Sequence, residues 1–137
     1  METIVLGYDD GDGAKRALAR ASSLARALGA KLVVLSVARP ATTHPRGPRT
    51  ADLADAPPRH RRQLENARTL LEQTEVDARY EVGFGEPADV IVDVSEERNA
   101  DLIVLGSNDA GLLTRLFGLS VGDAVRKRAR CDVLVVG

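Results

Sequence analysis

Four apolar runs rich in β-branched residues constrain this chain's fold more tightly than any other feature. They are Ile4-Val5-Leu6, Lys31-Leu32-Val33-Val34-Leu35-Ser36-Val37, Leu102-Ile103-Val104-Leu105 and Val133-Leu134-Val135-Val136. Runs this continuous suit strands covered on both faces, which is the condition of a parallel sheet. A fifth segment, Asp77 to Val82, alternates polar and apolar residues and reads as an edge strand. Between the first two runs, Ala14, Ala17, Leu18, Ala21, Leu24, Ala25 and Leu28 recur at helical spacing. Asp12 is placed to cap that helix, and Gly29 suits the left-handed position just past its end. Leu64, Ala67, Leu70 and Leu71 predict a second helix ahead of Asp77, and Glu86-Pro87 opens a third. Val121, Ala124 and Val125 predict a last one.

The order is therefore β-α-β-α-β-α-β-α-β. Right-handed crossovers turn it into a doubly wound α/β domain, a five-stranded parallel sheet with helices on both faces. A chain of 137 residues is expected to be one such domain, 1–137. The stretch from Arg39 to Pro58 is rich in Pro, Thr and Ala without periodicity, and reads as a flexible loop at about 39–58.

Composition excludes several functions. Lys and Arg total 19 against 20 Asp and Glu, a net charge of −1, so nothing draws the chain to nucleic acid or anionic membrane. Aromatic residues are 3% and Trp is absent, too few for base-stacking platforms. No apolar run approaches the roughly 20 residues of a membrane span. No basic segment precedes Ile4-Val5-Leu6, so no secretory leader is expected and the location expected is cytoplasmic. Cys131 stands alone, without a disulfide partner or the Cys ligands of a zinc knuckle.

In such sheets ligands bind beyond the carboxyl ends of the strands, where the strand order reverses. That directs attention to Tyr8–Gly13, the chain from Ala38, Gly83–Pro87, and Gly106–Ser120. Gly106 to Gly111 has the glycine spacing of a phosphate loop, but Leu112 and Leu113 stand where Lys and Ser or Thr are needed. Gly83-Phe84-Gly85-Glu86-Pro87-Ala88 fits the dinucleotide fingerprint, yet it follows the third strand, and Pro87 removes an N–H from the cradle. Asp9 and Asp10 resemble the acidic pair of a phospho-receiver, but Val82-Gly83 offers no phosphorylatable Asp and the last strand no Lys. The pair reads either as a solvated turn or as a means to polarise a ligand hydroxyl or amine. His44 and His60 lack metal-ligand spacing, so no metal is expected. Arg59-His60-Arg61-Arg62 reads as a solvated helix face. No nucleophile elbow occurs and Cys131 has no nearby His, so no enzyme is expected.

Taken together, these segments resemble the universal stress protein family, of the small single-domain type, over essentially the full length. The resemblance rests on Ile4-Val5-Leu6-Gly7-Tyr8-Asp9, and on Gly83-Phe84-Gly85-Glu86-Pro87 followed by Ala100 to Ser107. It extends to the close, Arg130 to Val136, where Asp132 replaces the usual Pro. It implies sheet order 3-2-1-4-5, a binding or regulatory role in stress tolerance, and a homodimer paired through the Val133–Val136 edge. It also implies a site: Asp9 and Val37 at an adenosine end, with Gly106, Ser107, Ser120 and Val121 at a phosphate end.

The family's ATP-binding branch carries G-x2-G-x9-G-[ST]. Here Gly106 matches the first glycine, but Asp109 and Leu119 occupy the second and third, and only Ser120 keeps the hydroxyl. Gly111 and Gly118 are displaced, and one residue rotates a helical position by about 100°. A carboxylate about 4 Å from a phosphate costs on the order of 4 kcal/mol at an effective dielectric of about 20. The expectation is the branch without stable ATP binding and with no required cofactor, the alternative being an ATP- or AMP-binding protein with a divergent phosphate loop.

Overall fold

The computed structural model describes residues 1–39, 49–107 and 121–137. Along the chain run β1 (Thr3–Gly7), α1 (Asp12–Leu28), β2 (Lys31–Ala38), β3 (Thr50–Asp52), a 3-10 turn (Leu53–Asp55), α2 (Pro58–Leu71) and β4 (Ala78–Phe84). They are followed by α3 (Pro87–Glu97), β5 (Leu102–Gly106), α4 (Val121–Arg128) and β6 (Asp132–Val136). The sheet order is β3-β4-β2-β1-β5-β6. All strands except β3 pair in parallel, and numbered among themselves they follow the expected order 3-2-1-4-5.

The pleat sends successive residues of each strand to opposite faces. Ile4, Leu6, Leu32, Val34 and Val82 meet Ala17, Leu18 and Ala21 of α1 and Leu64 and Ala67 of α2. On the other face, Val5, Val33, Leu35 and Ile103 meet Val90, Ile91 and Val94 of α3 and Val125 of α4. This two-sided burial is why the strand sequences are apolar without alternation.

β3 corrects two expectations. It lies inside the segment read as a loop at 39–58 and adds a sixth strand, antiparallel, to the five expected. It pairs Thr50 with Gly83 and Asp52 with Glu81, so β4 is not the sheet's edge over those residues. Three polar or small residues carry no periodic signal; what orders them is the row of backbone groups on β4. Residues 40–48 of that segment lie outside the described residues.

The helix ends largely follow their signals. Gly29 is left-handed at φ 63° and its N–H reaches the carbonyls of Ala25 and Arg26, while Pro87 opens α3. Asp12, expected to cap α1, is instead in its first turn, and Gly11 holds the cap position. Leu70 is 54% exposed because it sits about 100° around the helix from the buried Leu71. Leu28 and Val121, also placed on buried stripes by their spacing, are exposed as the terminal residues of α1 and α4.

The start of β1 is tied down from a loop. Asp101 Oδ2 accepts the N–H groups of Glu2 (2.7 Å) and Thr3 (3.1 Å). These bonds, that to Glu2 first, hold the Asp101 carboxyl below the usual carboxylate range. Asp101→Ala is expected to speed hydrogen exchange at Glu2 and Thr3 without altering the core amides. Because the folded-state pKa is depressed, the anchor is complete above the ordinary carboxyl value of 3.8. It is lost as pH falls through the lower folded value. Exchange at these two amides that ignores both the mutation and acid pH would refute the anchoring role.

Candidate functional site

The strand order reverses at β1, and there, beyond the carboxyl ends of β1, β2 and β5, lies a cleft of about 730 Å³. Its size is that of a small-ligand site. Asp9, Val37, Gly106, Ser107 and Val121 all line it, so the structure brings together five positions indicated by the resemblance. Ser120 lies outside the described residues, as do His44, Asp109, Gly111, Gly118 and Leu119.

One side of the cleft is set by a close approach of two backbone segments. A Cβ on Gly106 would stand 2.4 Å from the carbonyl carbon and oxygen of Gly13, and one on Gly13 would stand 2.4 Å from the Ser107 oxygen. The end of β5 thus packs directly on the first turn of α1, and the glycine identity of both residues is required by space. Sequence reasoning assigned Gly106 to phosphate contact and missed Gly13.

The β1–α1 turn is locked onto α2. Asp10 has φ 68°, a left-handed conformation that costs about 1 kcal/mol or more for a residue with a Cβ. Tyr8 Oη donates to Asp10 Oδ1 at 2.6 Å, and Asn66 Nδ2 donates to Asp10 Oδ2 at 2.7 Å. Burial, then the bond to Asp10 and the charges of Asp10 and Asp9, hold the Tyr8 phenol well above its ordinary pKa. It therefore remains a donor at neutral pH. Asp9 faces outward, its Oδ1 accepting the Gly11 N–H at 3.0 Å, while its own carbonyl accepts Gln63 Nε2 at 3.2 Å.

The basic cluster read as a solvated face is corrected in part, for Arg59 and His60 line the cleft. His60 Nδ1 lies 2.8 Å from Ser36 Oγ, which in turn donates to Gln63 Oε1 at 2.9 Å. Burial first, and then the Arg59 charge, lower the His60 pKa, with the Gln63 contact opposing, so the ring is neutral at pH 7. A faint signal was available: Ser36 interrupts the apolar run of β2, and His60 and Gln63 share one face of α2. Arg61 turns away, to the carbonyl of Ala56.

Charge in the cleft is mixed. The described lining residues include the carboxylates of Asp9 and Asp12 and the guanidiniums of Arg16, Arg39 and Arg59, with Arg39 also 3.9 Å from Glu86. Arg16 Nε also donates to the Gly137 carbonyl at 3.2 Å, joining the end of the chain to this wall. A second depression of about 400 Å³ runs along α3, crossed by ion pairs of Arg49 with Asp93 (2.5 Å) and Glu97 (2.9 Å) and of Arg128 with Asp89. Among the described residues no group of His, Cys, Asp and Glu is placed to hold a metal ion. The half-buried Cys131 has its thiol pushed up by burial, away from reactivity.

The sequence pattern described as "Universal stress protein family" matches residues 1–137. A Thermus aquaticus relative, "Universal stress protein in QAH/OAS sulfhydrylase 3'region", is 33% identical over 145 aligned positions, covering 99% of this chain and 98% of its own. A universal stress protein of Mycobacterium tuberculosis is 33% identical, covering 98% of this chain and 95% of its own. A crystal structure of a universal stress protein in complex with cAMP superposes with a TM-score of 0.76 at 29% identity, over 99% of this chain and 96% of that one.

Proposed function

This chain belongs to the universal stress protein family, and we propose that its cleft takes an adenine nucleotide of low charge, a monophosphate or cyclic monophosphate. In this reading the protein is a cytoplasmic binding and regulatory module of stress tolerance, without stable ATP binding and without catalysis of its own. The observation that carries the reading is the cleft at the strand reversal, with Asp9 and Val37 beside one another's strands and Gly106, Ser107 and Val121 at its other side. Among the described lining residues two carboxylates stand with three guanidiniums, and Arg39 already lies 3.9 Å from Glu86, so this wall carries no surplus of positive charge to match the several charges of a triphosphate. The family member solved with cAMP, which carries one such charge, supports this ligand class. Among the described residues no helix is long and apolar enough to cross a membrane.

Mass spectrometry of small molecules released from purified protein tests the proposal directly. Release of AMP or cAMP is the expected result. Recovery of ATP in near-stoichiometric amount would instead favour the ATP-binding form of the alternative, a family member with a divergent phosphate loop.

We further propose a homodimer paired through Val133–Val136. β6 ends the sheet order, and these four residues are half-exposed. The Val136 carbonyl bonds back to Ser107 N–H at 2.8 Å. Strand alternation then turns the N–H and carbonyl of Val135 outward, where among the described residues no strand pairs with them and a second copy could. Val135→Pro removes that outward donor and leaves the β5 ladder intact. It is expected to raise the monomer fraction at tens of micromolar by light scattering; a wild-type protein that is monomeric there would dismiss the dimer.

A further inference from the structure

The hydrogen-bond network beneath the cleft dictates the tautomer of His60. The carbonyl of Asp9 only accepts, so the group of Gln63 that meets it at 3.2 Å is the amide nitrogen. That leaves Gln63 Oε1 facing Ser36 Oγ at 2.9 Å, and two oxygens at that distance need a proton between them. Ser36 supplies it, having only one to give. At 2.8 Å from the same hydroxyl, His60 Nδ1 must then be the donor. The ring is neutral, so its other nitrogen, Nε2, carries a bare lone pair. Among the described residues Nε2 has no hydrogen-bond partner and is not buried, and His60 lines the cleft.

We propose that His60 is a specificity-determining residue of the cleft, its Nε2 accepting a hydrogen bond from an uncharged N–H or O–H donor of the ligand. The position suits it. Ser36 precedes Val37, and Gln63 binds the carbonyl of Asp9, so the trio stands against both residues assigned to the adenosine end. A nucleoside presents two donors of this kind, the exocyclic amine of the base and the hydroxyls of the sugar. A base with a carbonyl in place of the amine meets a lone pair facing a lone pair. The proposal rests on the nucleotide reading above and adds to it which donors the protein selects and why.

Two measurements test it. Nitrogen-15 NMR of the free protein reads the tautomer without any ligand: the Nδ1–H form is expected, and the Nε2–H form would overturn the assignment. Calorimetry then compares AMP, IMP and the 2′- and 3′-deoxy forms of AMP on wild type and on His60→Phe, with thermal melts to verify folding. Loss of one neutral hydrogen bond corresponds to about a tenfold weakening of AMP. The probe that the variant does not weaken identifies the donor: IMP if it is the amine, a deoxy form if it is a hydroxyl. A second variant, Gln63→Leu, frees the Ser36 proton to turn toward Nδ1. His60 then becomes a donor at Nε2, and the preference for AMP over the probe that lacks the identified donor is expected to shrink or reverse. AMP binding unaltered in both variants would overturn this assignment alone. A wild-type protein that binds none of the four probes would remove the nucleotide reading, and this inference with it.

Discussion

Alanine at Gly106 is expected to destabilise the fold by about 3 kcal/mol or more, beyond the usual range for an added methyl in a packed interior. The new Cβ would lie 2.4 Å from the carbonyl carbon and oxygen of Gly13 and 2.7 Å from Ala14 N, all of them backbone. A side chain in that position could rotate away. The first turn of α1 cannot, without shifting that side of the cleft. Gly13→Ala is expected to have a similar effect, since its Cβ would meet the Ser107 oxygen at 2.4 Å. Because both methyls enter one seam, the double variant should lose less than the sum of the two. Gly29→Ala is the control: nothing lies within 4 Å of its Cβ, and only the left-handed φ of 63° opposes it. Its loss should stay near about 1–2 kcal/mol. Urea unfolding measures all four, and a Gly106→Ala protein no less stable than Gly29→Ala would show that the seam yields. AMP affinity should fall together with the stability of Gly106→Ala, since the methyl displaces the side of the cleft on which Ser107 stands.

The second large effect expected is a preference for AMP over ATP of at least tenfold. Its basis is Asp109, which occupies the second glycine of the phosphate motif, and Leu119, which occupies the third. One like-charge contact at about 4 Å is worth on the order of 4 kcal/mol at an effective dielectric of about 20. Retention of even a third of that gives the tenfold. The double change Asp109→Gly with Leu119→Gly is expected to improve ATP selectively and to leave adenosine unchanged. It removes a negative charge and reopens the backbone to phosphate. Glycine at 119 costs roughly 1 kcal/mol if that position is helical, so melts accompany the calorimetry. Wild-type protein that binds ATP at micromolar affinity, and more tightly than AMP, would place the chain in the ATP-binding branch.

The parallel architecture and the location of the cleft were legible in the sequence because both depend on burial. Strands covered on two faces must be apolar at every position, so Ile4-Val5-Leu6 and Leu102-Ile103-Val104-Leu105 announce themselves as strands within a sandwich of helices. Gly29 and Pro87 mark helix ends for equally local reasons, a left-handed φ and a missing N–H. Given the strand order, the cleft has to lie where that order reverses, and so Asp9 and Val37 fall within it.

What tertiary structure alone decided is where groups distant in the chain come within bonding distance. β3 is ordered by backbone groups of β4, and a three-residue polar segment carries no periodicity to foretell that. Gly13 and Gly106 are glycine for the sake of each other, and neither turn by itself demands it. Ser36, His60 and Gln63 form one proton-ordered network although His60 and Gln63 stand 24 and 27 residues from Ser36. Read along the chain, they are a lapse in an apolar run and two positions on a basic helix. The physical reason is the same in each case. Hydrophobic periodicity records which side of an element is buried, which is a local property. The identity of a hydrogen-bond partner, or of the backbone that forbids a methyl group, depends on which segments the crossovers bring together.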